Sequence, residues 1–244
     1  MRVEVSFTPA VLPLPEGGVC VVIDVLRATS TLATMFARGL ERAVICGSLA
    51  EARREAVRRR AWLLCGEKRS LPPAGFDYGN SPTELDRLDL RGKSAIFSTT
   101  NGTRALIRAE RCSAVFTGAF VNVSAATRVA AREALRRRED LLIICAGDEG
   151  GRVFALEDAF CAGAMVDRLV SGRTDTELND GARAALRLYR SYGGSALRAF
   201  RDARHGPGLT RVGLGHDVAF CAQRDRFRVV PRLERRSGSL LLRP

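Results

Sequence analysis

The residues best suited to chemistry lie where apolar runs stop. Between Ser94 and Leu106, SAIFSTTNGTRAL, the run Ala95-Ile96-Phe97 gives way to Ser98, Thr99, Thr100, Asn101, Gly102 and Thr103, then to Arg104 and a second apolar run. A strand, a small polar turn and a helix start make an anion site. The first N–H groups of a helix lack partners, and its dipole turns the positive end toward the ligand. The hydroxyls add donors and Arg104 adds charge; in the plainer reading Thr100 or Asn101 caps the helix. A similar strand end stands at VVIDVLRATST. There the Asp24 carboxylate suits a divalent cation and the Arg27 fork suits a phosphate or carboxylate. Thr29, Ser30 or Thr31 caps the helix that follows.

Other strand ends repeat the pattern. Glu67 follows the run Trp62–Cys65 beside Lys68 and Arg69, and Asp77 sits in the Gly- and Pro-rich loop Ser70–Glu84. Hard oxygen ligands on separate strand-end loops are how magnesium is usually held, with water and substrate phosphate completing the octahedron. The stretch Cys145-Ala146-Gly147-Asp148-Glu149-Gly150-Gly151 leads to Glu157 and Asp158 in the first turn of a helix, where acids also complement the dipole. Some familiar phosphate-handling families are disfavoured. Leu26 stands where a D-x-D nucleophile motif needs its second acid, and the chain has no P-loop and no C-x-x-x-x-x-R loop.

These positions need a scaffold, and the rest of the chain describes one. Apolar runs at Val3–Phe7, Val19–Ile23, Ala43–Cys46, Trp62–Cys65, Ala95–Phe97, Ala114–Thr117, Leu141–Cys145 and Arg228–Val230 read as strands. Helices are expected at Ser30–Arg38, Leu49–Arg60, Thr103–Ala109, Ser124–Arg138, Leu156–Ser171 and Asp175–Ser191. Such alternation predicts an α/β layered fold with a largely parallel or mixed sheet and ligands at the carboxyl ends of its strands. One domain spanning 1–244 is expected, with residues 235–244 poorly ordered.

Composition narrows the function classes. The seven cysteines are scattered without a C-x-x-C pair and read as reduced thiols of a cytoplasmic protein. Two histidines argue against a His-rich metal site. No apolar run approaches the ~20 residues of a membrane span. The net charge of +12 comes almost wholly from arginine spread along helical stretches such as EARREAVRRRAW. It reads as a solvated face that also attracts small anions, and a nucleic-acid partner is not expected.

Taken in order, DVLRATST, GE-x-R, G-x-D-x-GNSP-x-E, STTNGT, CAG-x-x-G, LED-x-x-CAG and the late DVAFCAQRDRFRVVP resemble the 2-phosphosulfolactate phosphatase (ComB-like) family. The loop Asp148-Glu149-Gly150-Gly151 departs from that pattern, where a shorter stretch with Thr is expected. The resemblance implies a three-layer α/β/α fold and a Mg2+-dependent phosphatase releasing phosphate from 2-phosphosulfolactate, a step of coenzyme M biosynthesis; a homodimer is the expected assembly. With catalytic roles for Asp24, Arg27, Glu67 and Asp158, Mg2+ would be held by some of Asp24, Glu67, Asp77, Glu157 and Asp158. One of these carboxylates would serve as general base to a water attacking in line. Arg27, Thr29, Ser30, Arg69 and Ser98 to Arg104 would bind the substrate. A covalent aspartyl-phosphate on Asp24 is the rival mechanism. The alternatives are a phosphatase of another small 2-phospho acid, or a non-catalytic module binding anionic metabolites or nucleic acid.

Overall fold

The computed structural model describes residues 1–10, 16–171, 176–236 and 239–244. The apolar runs become strands and the stretches between them helices. The order begins β1 (Arg2–Ser6), β2 (Val19–Ile23), α1 (Ala28–Ala37), β3 (Arg42–Ile45), α2 (Leu49–Arg58), β4 (Leu63–Gly66) and α3 (Pro82–Leu85). It continues with β5 (Ser94–Ser98), α4 (Gly102–Arg108), β6 (Ala114–Gly118), α5 (Val123–Arg137), β7 (Leu141–Cys145) and α6 (Leu156–Val170). The last elements are β8 (Glu177–Leu178), α7 (Asp180–Ser191), α8 (Ala196–Asp202), α9 (His205–Arg211), α10 (Gly215–Cys221), β9 (Arg232–Arg236) and β10 (Ser239–Arg243). The helix expected from Asp175 begins at Asp180; Asp175 itself lies outside the described residues.

The ten strands of the described residues form one sheet, in the order β4-β5-β3-β10-β9-β6-β2-β7-β1-β8. Pairings are parallel except around β9 and β10: β10 runs antiparallel to β3 and to β9, and β9 antiparallel to β6. The sheet is therefore mixed and mostly parallel. Here the C-terminus corrects the sequence reading. Residues 228–230 form no ladder; Val229 instead accepts a hydrogen bond from Asn122 Nδ2, and strand pairing starts at Arg232. Residues 232–236 and 239–243, part of them expected to be poorly ordered, stand in the middle of the sheet, joining β3 to β6. The signal was weak because RLERR holds a single apolar residue, Leu233. Its neighbours shelter Arg232, whose guanidinium lies 5.7 Å from the Phe116 ring centroid.

Strand residues alternate between two cores, as a period of two requires. Val19, Val21 and Ile23 of β2 join Leu141, Ile143 and Cys145 of β7 beneath α5, α6 and α7. Their neighbours Cys20, Val22, Leu142 and Ile144 face the other way, onto α1 and α4. This second core also takes side chains from β3, β4, β5, β6, β9 and β10. At its centre α1 is buried from Ala28 to Phe36. On the outer face of β3 and β5, Val44 and Ile96 pack with Ala52 of α2. Helices thus cover both faces of the sheet, giving three layers. Gly102, after β5, packs on Asp24, after β2, so strand ends far apart in the sheet order come to one place.

Candidate active site

That place is a cavity of about 250 Å³ lined by residues from the loops after β2, β4, β5 and β7 and from α9. Parallel strands end on the same side, so their loops meet there. Asp24, Leu26 and Arg27 come from the first loop, Glu67, Arg69 and Ser70 from the second, Thr100 and Asn101 from the third, Asp148 and Glu149 from the fourth. Asn80, His205 and Leu209 complete the wall. A larger groove of about 640 Å³ lies between α8, α9 and α10 around Leu197, Pro207 and Val218, but no carboxylate lines it.

Asp24 is fixed by its own turn. Its N–H and the Thr29 hydroxyl are 3.0 Å apart, the Thr29 hydroxyl donates back to the Asp24 carbonyl (2.9 Å), and Oδ1 accepts from the Ala28 N–H (3.2 Å). Burial pushes its carboxyl up to about 6, with the positive charge on His205 working the other way. Glu67 is held by both oxygens: Oε1 accepts from Thr100 N (2.7 Å) and Oε2 from Ser70 N (2.9 Å). It therefore ties the loops after β4 and β5 together. Two glycines allow the approach. A Cβ on Gly66 would lie 2.0 Å from the Ser98 carbonyl oxygen, and one on Gly102 would lie 2.7 Å from Asp24 Oδ2. Arg69 and Ser70 both take positive φ, 52° and 71°, a strain of the kind that gathers at functional loops.

Arg27 reaches the wall with its guanidinium already engaged. Nη1 bonds Asp217 Oδ2 at 2.6 Å and Nη2 bonds the Ser70 carbonyl at 2.7 Å. Asp217 in turn accepts from the Ser81 hydroxyl (2.8 Å) and Thr83 N (3.2 Å). Asn101 Oδ1 accepts from Gly150 N (2.9 Å), which brings the β7 loop against the β5 loop.

Several expected site residues have other work. Asp158 is buried beneath the cavity, its two oxygens accepting from Val25 N (2.9 Å) and Gly147 N (3.1 Å). It clamps the ends of the adjacent strands β2 and β7, and burial holds its carboxyl well above the usual range. Glu157, also buried, is paired with His205 Nδ1. Asp77 accepts from Leu64 N (2.7 Å) and is not part of the cavity wall. Thr29 and Ser30 turn their hydroxyls to the carbonyls of Asp24 and Val25. Thr99 and Thr103 bond each other across the start of α4, so the capping side chain is Thr99 in place of Thr100 or Asn101. Ser98 is buried, Gly102 packs on Asp24, and Arg104 stands beside Gly150 without lining the cavity. Of the polar turn, then, Thr100 and Asn101 remain on the wall.

The sequence reading missed His205 and Asp217 as site residues and gave Asp148 no role. His205 Nε2 lies 3.3 Å from Asp148 Oδ2. Burial alone would lower its pKa, but Glu157, Asp148 and Asp24 raise it to about 10. Burial likewise opposes ionisation of Asp148, and the Glu149 N–H and His205 overcome it and pull its carboxyl below the usual range. An isolated histidine among helical residues carries no pattern in sequence. The late motif beginning at Asp217 did carry one.

Magnesium, which the resemblance implies, seeks hard oxygens and usually takes one or two carboxylates. Among the described residues no three His, Cys, Asp or Glu side chains form a ready metal cluster. The donor set nonetheless fits: Asp24 and Glu67 line the cavity together, and Asn80 Oδ1 is buried at the same wall with no hydrogen-bond partner.

Residues 7–236 match the 2-phosphosulpholactate phosphatase family. A protein of Thermotoga petrophila described as "Probable 2-phosphosulfolactate phosphatase" is 38% identical over 213 residues, 87% of this chain and 88% of its own. One of Pseudothermotoga lettingae with the same description is 36% identical over 232 residues, 94% of each chain. A third, from Gloeobacter violaceus, is 36% identical over 234 residues, 95% of each chain. With most of its length matched, the chain belongs to the 2-phosphosulfolactate phosphatase family.

Proposed function

We propose that the protein is a Mg2+-dependent phosphatase that hydrolyses 2-phosphosulfolactate to sulfolactate and phosphate, a step of the coenzyme M type. The observation that carries the reading is the meeting of Asp24, Glu67, Arg27, Arg69 and Asn101 on one small cavity at the carboxyl ends of the strands. A site that only bound anions would gain nothing from two buried carboxylates beside its arginines. A phosphatase needs both signs, cations for the substrate and carboxylates for metal and water.

Asp24, Glu67 and Asn80 would hold the metal, which when bound neutralises phosphoryl charge and polarises the attacking water. Arg69, exposed at the wall, meets the second and third anionic groups of the substrate. Arg27, locked to Asp217 and Ser70, keeps its charge at a fixed place. Asp24, its carboxyl raised by burial to about 6, takes the proton of the attacking water. The seven cysteines, six of them buried and none in a disulfide, support a reducing, cytoplasmic setting. Among the described residues no helix is long and apolar enough to cross a membrane.

The test is phosphate release from 2-phosphosulfolactate, phospholactate and phosphoglycolate, with magnesium or with chelator, by wild type and Asp24→Ala. Turnover of the sulfonate substrate that needs magnesium and is lost in the variant supports the reading. Turnover of a different phospho acid moves the substrate and keeps the chemistry, and silence with all three sinks the enzyme reading.

A further inference from the structure

His205 opens α9 and belongs to none of the strand-end motifs, yet its ring forms part of the cavity wall. Nδ1 is joined to Glu157, whose side chain is 2% exposed and lies behind the wall. Nε2 is 3.3 Å from Asp148 Oδ2, and Asp148 does line the cavity. The ring is thus anchored at one nitrogen inside the protein and offers the other at the cavity surface. A carboxylate that holds one imidazole nitrogen fixes the orientation of the ring and stabilises its charged form.

Building on the phosphatase reading above, we infer that His205 is the general acid of the reaction. It delivers the Nε2 proton to the ester oxygen, and Glu157 is the positioning residue that aims it. In the free enzyme Asp148 accepts this hydrogen bond; in the complex the bridging oxygen of the substrate takes its place. The step balances. The water oxygen forms the new bond to phosphorus and gives its proton to Asp24. The bond from phosphorus to the ester oxygen breaks, leaving its electron pair on that oxygen, which takes the His205 proton. The proton on Asp24 then returns to the imidazole through solvent, and no further reactant is needed.

Such an acid matters most for a poor leaving group. The alkoxide of a hydroxyacid departs slowly without a proton, whereas the acetate of acetyl phosphate departs unaided. His205→Asn is therefore compared with wild type on two substrates, acetyl phosphate and the best phospho acid of the panel. The expected result is a fall in kcat of about 100-fold or more on the phospho acid, with KM little changed and acetyl phosphate turnover within about fivefold. Glu157→Gln should show the same selective loss to a smaller degree. Equal losses on both substrates assign His205 to structure alone and overturn the inference, as does an unchanged rate on the phospho acid. A wild-type enzyme that releases no phosphate from any ester fails at the earlier reading, a result distinct from a failed comparison between variants.

Discussion

Arg27 and Asp217 stand 190 residues apart and meet in a 2.6 Å ion pair whose side chains are 2% and 0% exposed. The pair fastens α10 to the loop after β2 and holds a cation at the cavity wall. Removing one partner leaves the other charged and buried. Asp217→Ala is expected to cost about 3–5 kcal/mol in urea denaturation. Loss of less than about 1 kcal/mol would mean that water reaches the guanidinium once its partner is gone.

Asp77 and Asp24 separate structure from chemistry. Asp77→Ala removes a hydrogen bond to Leu64 N and is expected to cost about 1 kcal/mol while leaving magnesium dependence unchanged. Asp24→Asn should abolish turnover in a folded protein. Magnesium titrations of the initial rate read both variants, and a weakened magnesium response in Asp77→Ala would return that residue to the metal site.

Gly102 is expected to be intolerant of even one methyl group. The added Cβ would lie 2.7 Å from both Asp24 Oδ2 and Ala28 Cβ. Gly102→Ala should cost about 1–3 kcal/mol in stability as Asp24 is displaced. A larger relative loss in kcat than in stability is the expected signature. Full activity would show that the loop yields without moving Asp24.

His205 should leave a mark on stability as well as on rate. Its pKa rises from 6.5 to about 10 on folding, so the folded state binds its proton more tightly. The stabilisation is complete below pH 6.5 and is lost as pH rises through about 10. Thermal melts in chelator should show Tm falling across that window in wild type and a flatter profile in His205→Gln. Superimposable slopes for the two proteins would refute the pairing with Glu157 and Asp148.

The C-terminal hairpin gives the last test. A chain ending at Pro231 lacks both β9 and β10, leaving β3 and β6 with open edges in the middle of the sheet. Such edges pair between molecules, so the truncated chain is expected in the insoluble fraction. A soluble, active product would show that the two parallel halves close without it.

Local signals carried much of this protein. Runs such as LLIIC and VCVVI are long enough in apolar residues to demand burial on both faces, so the strands and the layered α/β class follow from sequence. Asp24, Glu67, Thr100 and Asn101 were legible for the same reason: each stands within a few residues of the end of an apolar run, and parallel strands deliver their ends to one side. What sequence could not decide is which oxygen each side chain satisfies. Asp158, Thr29 and Ser30 look like ligands and are bound to backbone groups, because buried N–H and carbonyl groups compete for every nearby partner. The meeting of the β2 and β5 ends and the insertion of the last two strands at the centre of the sheet are long-range matters. Tertiary packing likewise brings Asp217 to Arg27 and seats His205 between Glu157 and Asp148, where no spacing along the chain records the meeting.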